Sequence, residues 1–81
     1  MVWIVENFMV DRVPHRFEGS SFKRQGRWMG EGHLWRKGRF LSRASFPLAT
    51  GDMPANAMSD EEQRLALIQR AKSLATSLGT P

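Results

Sequence analysis

The sequence predicts an α+β domain: an antiparallel meander of three or four strands covered on one face by a single C-terminal helix. Two observations predict it. From residue 2 to residue 46 the chain is built of short runs with two-residue alternation, separated by Gly- or Pro-containing turns. From Ser59 onward the apolar spacing changes to three and four, the helical period.

The first run, VWIVENFMV over residues 2–10, is rich in β-branched and aromatic types and reads as a strand. Pro14 places a bend near DRVP. His15–Phe22 reads as the second strand, with Gly19 as its weak point or bulge, and KRQG as the turn that ends it. The third strand, Arg27–Arg36, places Trp28, Gly30, Gly32 and Leu34 on one face. Met29, Glu31, His33 and Trp35 fall on the other.

Lys37-Gly38 then forms a two-residue hairpin turn into the fourth strand, Arg39–Phe46. Unbroken alternation there sets Phe40, Ser42, Ala44 and Phe46 on the buried face and turns Arg39, Leu41 and Arg43 outward. Residues 47–58 hold two prolines and a Gly-Asp pair, which suits an irregular connection from sheet to helix.

Ser59 followed by Glu62 is a capping-box pattern, and Asp60, Glu61 and Glu62 suit the positive end of a helix dipole. Asp60 is spaced to pair with Arg64 one turn later. Arg70 and Lys72 lie toward the negative end. Leu67, Ile68, Ala71, Leu74, Ala75 and Leu78 form the apolar face, and Gly79 stands where a C-terminal cap belongs. One helix covers one face of a sheet; the other face is left carrying Trp35, Leu41 and arginines.

The 81 residues make one domain, with 2–46 as the meander, 47–58 as the connection and 59–78 as the helix. At 41% hydrophobic residues the chain has the composition of a folded domain. It has no cysteine, which excludes disulfides, thiolate metal sites and cysteine nucleophiles. A cytoplasmic location is the expectation. MVWIVENFMV lacks a basic leading region and is too short to span a bilayer, so neither a signal peptide nor a membrane helix is expected.

The net charge of +4 is unevenly placed: residues 11–46 carry nine Lys or Arg against three Asp or Glu, and the remainder three against five. The basic middle favours acidic partners through screened long-range attraction.

The succession of GRW, WRKGRF and SDEEQRLALIQRAKSLA resembles a group of small bacterial domains of uncharacterised function. There a G-R-W strand, a strand ending in a charged-Gly turn and an acidic-start helix follow one another. Gly26, Arg27, Trp28, Arg36, Lys37, Gly38, Arg39 and the helix from Ser59 carry the resemblance, over roughly residues 15–78. It implies the meander-plus-helix arrangement; no functional residue is carried over from a group without an agreed activity.

Candidate chemistry is narrow. Glu31 and His33 face the same way on a strand, yet nothing in the sequence completes a metal or acid–base site with them, and His15 has no assignable partner. GRWMGEG lacks the G-K-[ST] ending of a phosphate loop, so Gly30 and Gly32 are expected to serve close packing or a strand bend. Ser20, Ser21, Ser42 and Ser45 lie outside any nucleophile-elbow context. The expectation is a binding module without catalytic activity, cofactor or metal.

Its leading partner is another protein or a second copy of the chain, through Trp35 and Leu41 with Met29 beside them, or through the exposed edge at Val2–Val10. The alternative is nucleic acid, with aromatic and basic residues interleaved from Phe22 to Phe40. The candidate contact residues are Trp35, Arg36, Lys37, Arg39 and Arg43, with Lys23, Arg24 and Arg27 at the preceding turn. A third reading is a host-directed inhibitor carried by a mobile element.

Overall fold

The structure is a computed structural model that describes residues 1–49 and 57–79. The four strands β1 (Trp3–Val10), β2 (Val13–Arg24), β3 (Arg27–Arg36) and β4 (Arg39–Pro47) form one antiparallel sheet in chain order, followed by the helix α1 (Asp60–Ser77). This is the expected α+β meander with one C-terminal helix. β1 joins the sheet as an edge strand. Most of the expected connection, residues 50–56, lies outside the described residues.

All three hairpins close with two residues at positive φ: Asp11 and Arg12 at 51° and 67°, Gln25 and Gly26 at 52° and 75°, Lys37 and Gly38 at 51° and 77°. Such turns match the right-handed twist of the strands they join, so pairing runs up to the turn on both sides. That is why β2 extends two residues beyond the expected strand at each end. Pro14 is tolerated inside it because its partner is Met9, one place beyond the Val10–Val13 pair that closes the hairpin, where β1 needs no amide from it. Gly19 is no bulge: it pairs regularly with Ile4 and Gly32.

The first turn is the only one without glycine at its second position. Replacing Arg12 by glycine is expected to raise stability by roughly 0.5–1 kcal/mol, by removing the left-handed strain of a side-chain-bearing residue. A higher urea midpoint at unchanged slope is the measurement.

The irregularity sits in the last hairpin. The β3–β4 register shifts between Leu34, opposite Ser42, and Trp35, opposite Phe40, leaving Leu41 as the extra residue. Ser42, Ala44 and Phe46 keep the helix side as expected. Across the bulge the alternation reverses: Phe40 stands on the face away from the helix, 56% exposed, and Leu41 packs against the core. The expected placement of both residues is corrected by that one inserted residue.

The core lies between sheet and helix. Ile4, Phe8, Phe17 and Leu34 from the strands and Val2 just ahead of β1 cluster with Leu67, Ala71 and Ala75 from α1 and with Leu48 and Met58. Gly30 permits the closest approach, since a Cβ there would lie 2.7 Å from a Leu67 methyl and 2.6 Å from the Phe46 ring. A polar node lies inside this core: the Ser21 hydroxyl donates to Gln63 Oε1 at 2.6 Å and accepts the Val2 amide at 2.8 Å, while Gln63 Nε2 donates to the Met58 carbonyl at 2.9 Å. Gln63 is buried although the apolar spacing passes over it.

The capping box forms as expected, with the Glu62 amide donating to Ser59 Oγ at 3.1 Å and the Ser59 amide donating to Glu62 Oε1 at 3.0 Å. That backbone amide, then the Ser59 hydroxyl, holds the Glu62 carboxyl below its ordinary value. A lowered folded value means the contribution is complete above the ordinary glutamate range and is lost as pH falls through the lowered one. Ser59→Ala is expected to cost about 1 kcal/mol at neutral pH and less in strong acid, read by chemical denaturation across pH. Arg64 pairs with Glu61 at 3.7 Å rather than with Asp60, and Leu78, expected on the buried face, is the exposed C-cap ahead of Gly79 at φ 73°.

Candidate interaction surface

The helix contacts β1, β2 and β3 from one side. Strand alternation therefore places on the opposite, outer face Trp3, Val5, Asn7 and Met9 from β1, Arg16, Glu18, Ser20, Phe22 and Arg24 from β2, and Arg27, Met29, Glu31, His33 and Trp35 from β3. Phe40, Arg43 and Ser45 complete it from β4. Its large apolar side chains lie open: Trp3 is 64% exposed, Met9 63%, Phe40 56% and Val5 50%.

Aromatic rings gather at one end. His33, Trp35 and Phe40 form a triangle with centroids 5.8–6.1 Å apart, held because the bulge turns Phe40 across to its partner Trp35. The Arg16 guanidinium lies 4.7 Å from the Trp35 ring centre and reaches Glu18 at 3.5 Å. Toward the other end Arg24 lies 5.4 Å from the Phe22 ring. Between them is a shallow hollow of about 480 Å³ whose polar lining is Glu18, Glu31, His33 and Arg43 with Ser20 and Ser45. Trp3 forms its wall on the β1 side. Glu31 and His33 do share a face, as their spacing implies. Among the described residues no group of three or more His, Asp or Glu side chains is placed to hold a metal ion.

The candidate residues separate into three groups. Trp35, Arg43, Arg24 and Arg27 lie on the outer face, with Arg24 directly opposite Arg27 at the start of the β2–β3 hairpin. Lys37 is exposed in its turn, and Arg39, expected on the outer face, is turned by the bulge to the helix side, where it is exposed opposite Arg36. Lys23 and Arg36 face the helix side. Lys23 Nζ lies 5.3 Å from the Trp28 ring.

Arg36 has a structural task. Its Nε–H donates to His15 Nε2 at 3.2 Å and its Nη2 donates to the Gly79 carbonyl just past α1. His15 is buried, stacked on Phe8, with Nδ1 at 2.9 Å from the Val13 carbonyl. A carbonyl only accepts, so Nδ1 carries the proton and Nε2 is free to accept from Arg36. α1 has no basic residue in its last turn, and Arg36 supplies a cation at its negative end. This gives His15 the partner that sequence alone did not reveal.

Sequence reasoning missed Trp3, Val5, Met9, Arg16 and Phe40 as members of this face. For the β1 residues the signal was present: Ile4, Glu6 and Phe8 alternate with them, and burying the first set exposes the second. Comparison of the chain with protein-family models, with curated proteins and with solved structures finds no match. No helix among the described residues is long and apolar enough to cross a membrane.

Proposed function

We propose that this chain is a small non-catalytic binding module that works through the uncovered face of its sheet, and that its partner is another protein or a second copy of itself. The observation that carries this reading is the exposure of Trp3, Val5, Met9 and Phe40 on one continuous sheet face opposite the helix. Apolar side chains gathered in this way and rimmed by arginine are the mark of an interaction surface. The titratable groups of the hollow stand on an open sheet with no second layer over them among the described residues, which is poor support for a preorganised reaction site.

The Arg16–Trp35 and Arg24–Phe22 pairs favour a second reading, since arginine interleaved with aromatic rings is also the chemistry of single-stranded nucleic-acid platforms. Glu18 and Glu31 in the middle of the face oppose phosphate, so protein takes precedence. The nucleic-acid reading requires binding that weakens steeply with salt and falls on Arg43→Ala.

A photo-crosslinking side chain at position 40 tests the proposal against the same group at Gln69, which is exposed on the helix. Capture of protein at 40 and not at 69 supports it. Equal capture at both positions, or nucleic acid captured at 40, overturns it.

A further inference from the structure

The two edges of the sheet are built differently. β4 is guarded by its bulge at Leu41, by Arg39 and Arg43, and by Pro47 at its end, the devices that keep an edge from pairing with another chain. β1 has no bulge, proline or cation, and its one charged residue is Glu6, on the helix side. Its eight residues, WIVENFMV, contain no proline, lysine or arginine and keep an unbroken register with β2.

The direction of its backbone groups follows from the hairpin. A two-residue turn makes Val10–Val13 a hydrogen-bonded pair, and such pairs alternate along the ladder, so the even-numbered residues of β1 point their N–H and C=O at β2. The Ser21 amide accordingly donates to the Val2 carbonyl at 2.8 Å. Trp3, Val5, Asn7 and Met9 turn theirs to the open side, and three of these four carry the most exposed apolar side chains of the strand.

We infer that β1 is a self-association edge: a second copy of the chain pairs its own β1 antiparallel to this one about a two-fold axis, extending the sheet across both copies. The inference goes beyond the reading of the uncovered face as an interaction surface, because edge pairing leaves that face open and commits only the β1 edge to one occupant.

Charge selects that occupant. The chain carries +4, and every lysine and arginine of the sheet region lies on β2, β3, β4 or a turn, while β1 carries only Glu6. Copies of a cationic chain repel along every other border of the sheet. Nucleic acid or an acidic protein is drawn to the cationic strands; a strand without cations, open on one side, fits another like itself. The pairing is isologous, so both free edges are satisfied at once and the assembly closes at two copies.

The register is restricted as well. Outward-pointing residues must oppose one another, which allows axes through Val5, Glu6 or Asn7 for the best overlap. An axis at Glu6 sets two carboxylates directly opposite, which is destabilising. The axis therefore passes through Val5 or Asn7.

The chain has no cysteine of its own, so single cysteines report the pairing without background. Under mild oxidation Val5→Cys or Asn7→Cys is expected to give a disulfide-linked dimer and Glu6→Cys is not, because directly opposed strand residues stand within disulfide reach. Light scattering should show the unmodified chain at twice the monomer mass, and Val5→Lys at the monomer mass with its cooperative thermal transition retained. A monomer at every concentration, or a Val5→Lys variant that stays dimeric, overturns the β1 pairing. Crosslinking at Glu6→Cys alone overturns the register. If the chain is monomeric and position 40 still captures a protein, this inference falls and the binding-module reading stands.

Discussion

Truncating Phe17 to alanine is expected to lower stability by about 3–5 kcal/mol, the range for removing a buried phenylalanine. Phe17 is fully buried on an interior strand, and its ring covers two glycines that face each other across β2 and β3. A Cβ on Gly19 would lie 2.5 Å from that ring, so the ring occupies the space where two side chains would otherwise stand. It also meets Phe46 at 6.2 Å between centroids, joining β2 to β4 across β3. Gly19 and Gly32 beneath the ring have no side chains to move into the cavity left by alanine. A domain of this length has roughly 4–12 kcal/mol in total, at about 0.05–0.15 kcal/mol per residue, so the variant is expected to melt far below the parent and, at the low end of that range, not to fold. Loss of the cooperative thermal transition by circular dichroism is the check; a midpoint within a few degrees of the parent contradicts the packing described.

Arg36→Ala is expected to cost about 2 kcal/mol, the scale for losing hydrogen bonds from a charged donor, while leaving outer-face binding unchanged at temperatures where the variant is folded. Removing the guanidinium strands the buried acceptor on His15 and the carbonyl of Gly79 together. Arg43→Ala provides the contrast. That side chain is exposed on the outer face, so its removal should leave the melting temperature nearly unchanged and alter only binding. Hydrogen exchange separates the two: faster exchange in the last turn of α1 is expected for Arg36→Ala and not for Arg43→Ala. The reverse pattern would return Arg36 to the binding surface.

Much of the fold was legible because it is set locally. The bounds of β3, the Lys37-Gly38 turn, the Ser59–Glu62 cap and Gly79 all follow from interactions within a few residues. What the sequence concealed depended on partners far away along the chain. Arg36 reads as one more surface cation until Gly79, 43 residues later, is placed beside it. Gln63 reads as a polar interruption of the helix face until Ser21 meets it. Phe40 and Leu41 exchanged places for another reason: two-residue alternation presumes an unbroken ladder, and no local residue type announced the bulge between them. The candidate surface was accordingly half legible, with Trp35, Arg43, Arg24 and Arg27 placed on it and the β1 residues overlooked.

The three two-residue turns have a kinetic consequence. Each strand pairs only with its immediate neighbours in the chain, so the sheet assembles through the shortest loop closures available and at small entropic cost. The contact that must wait is the docking of α1, which joins Ser21 to Gln63 over 42 residues. Folding should then proceed as a rapid zipping of hairpins followed by a slower arrival of the helix. For that interval the apolar inner face of the sheet is bare together with β1, and chains held at high concentration during refolding are most prone to aggregate then.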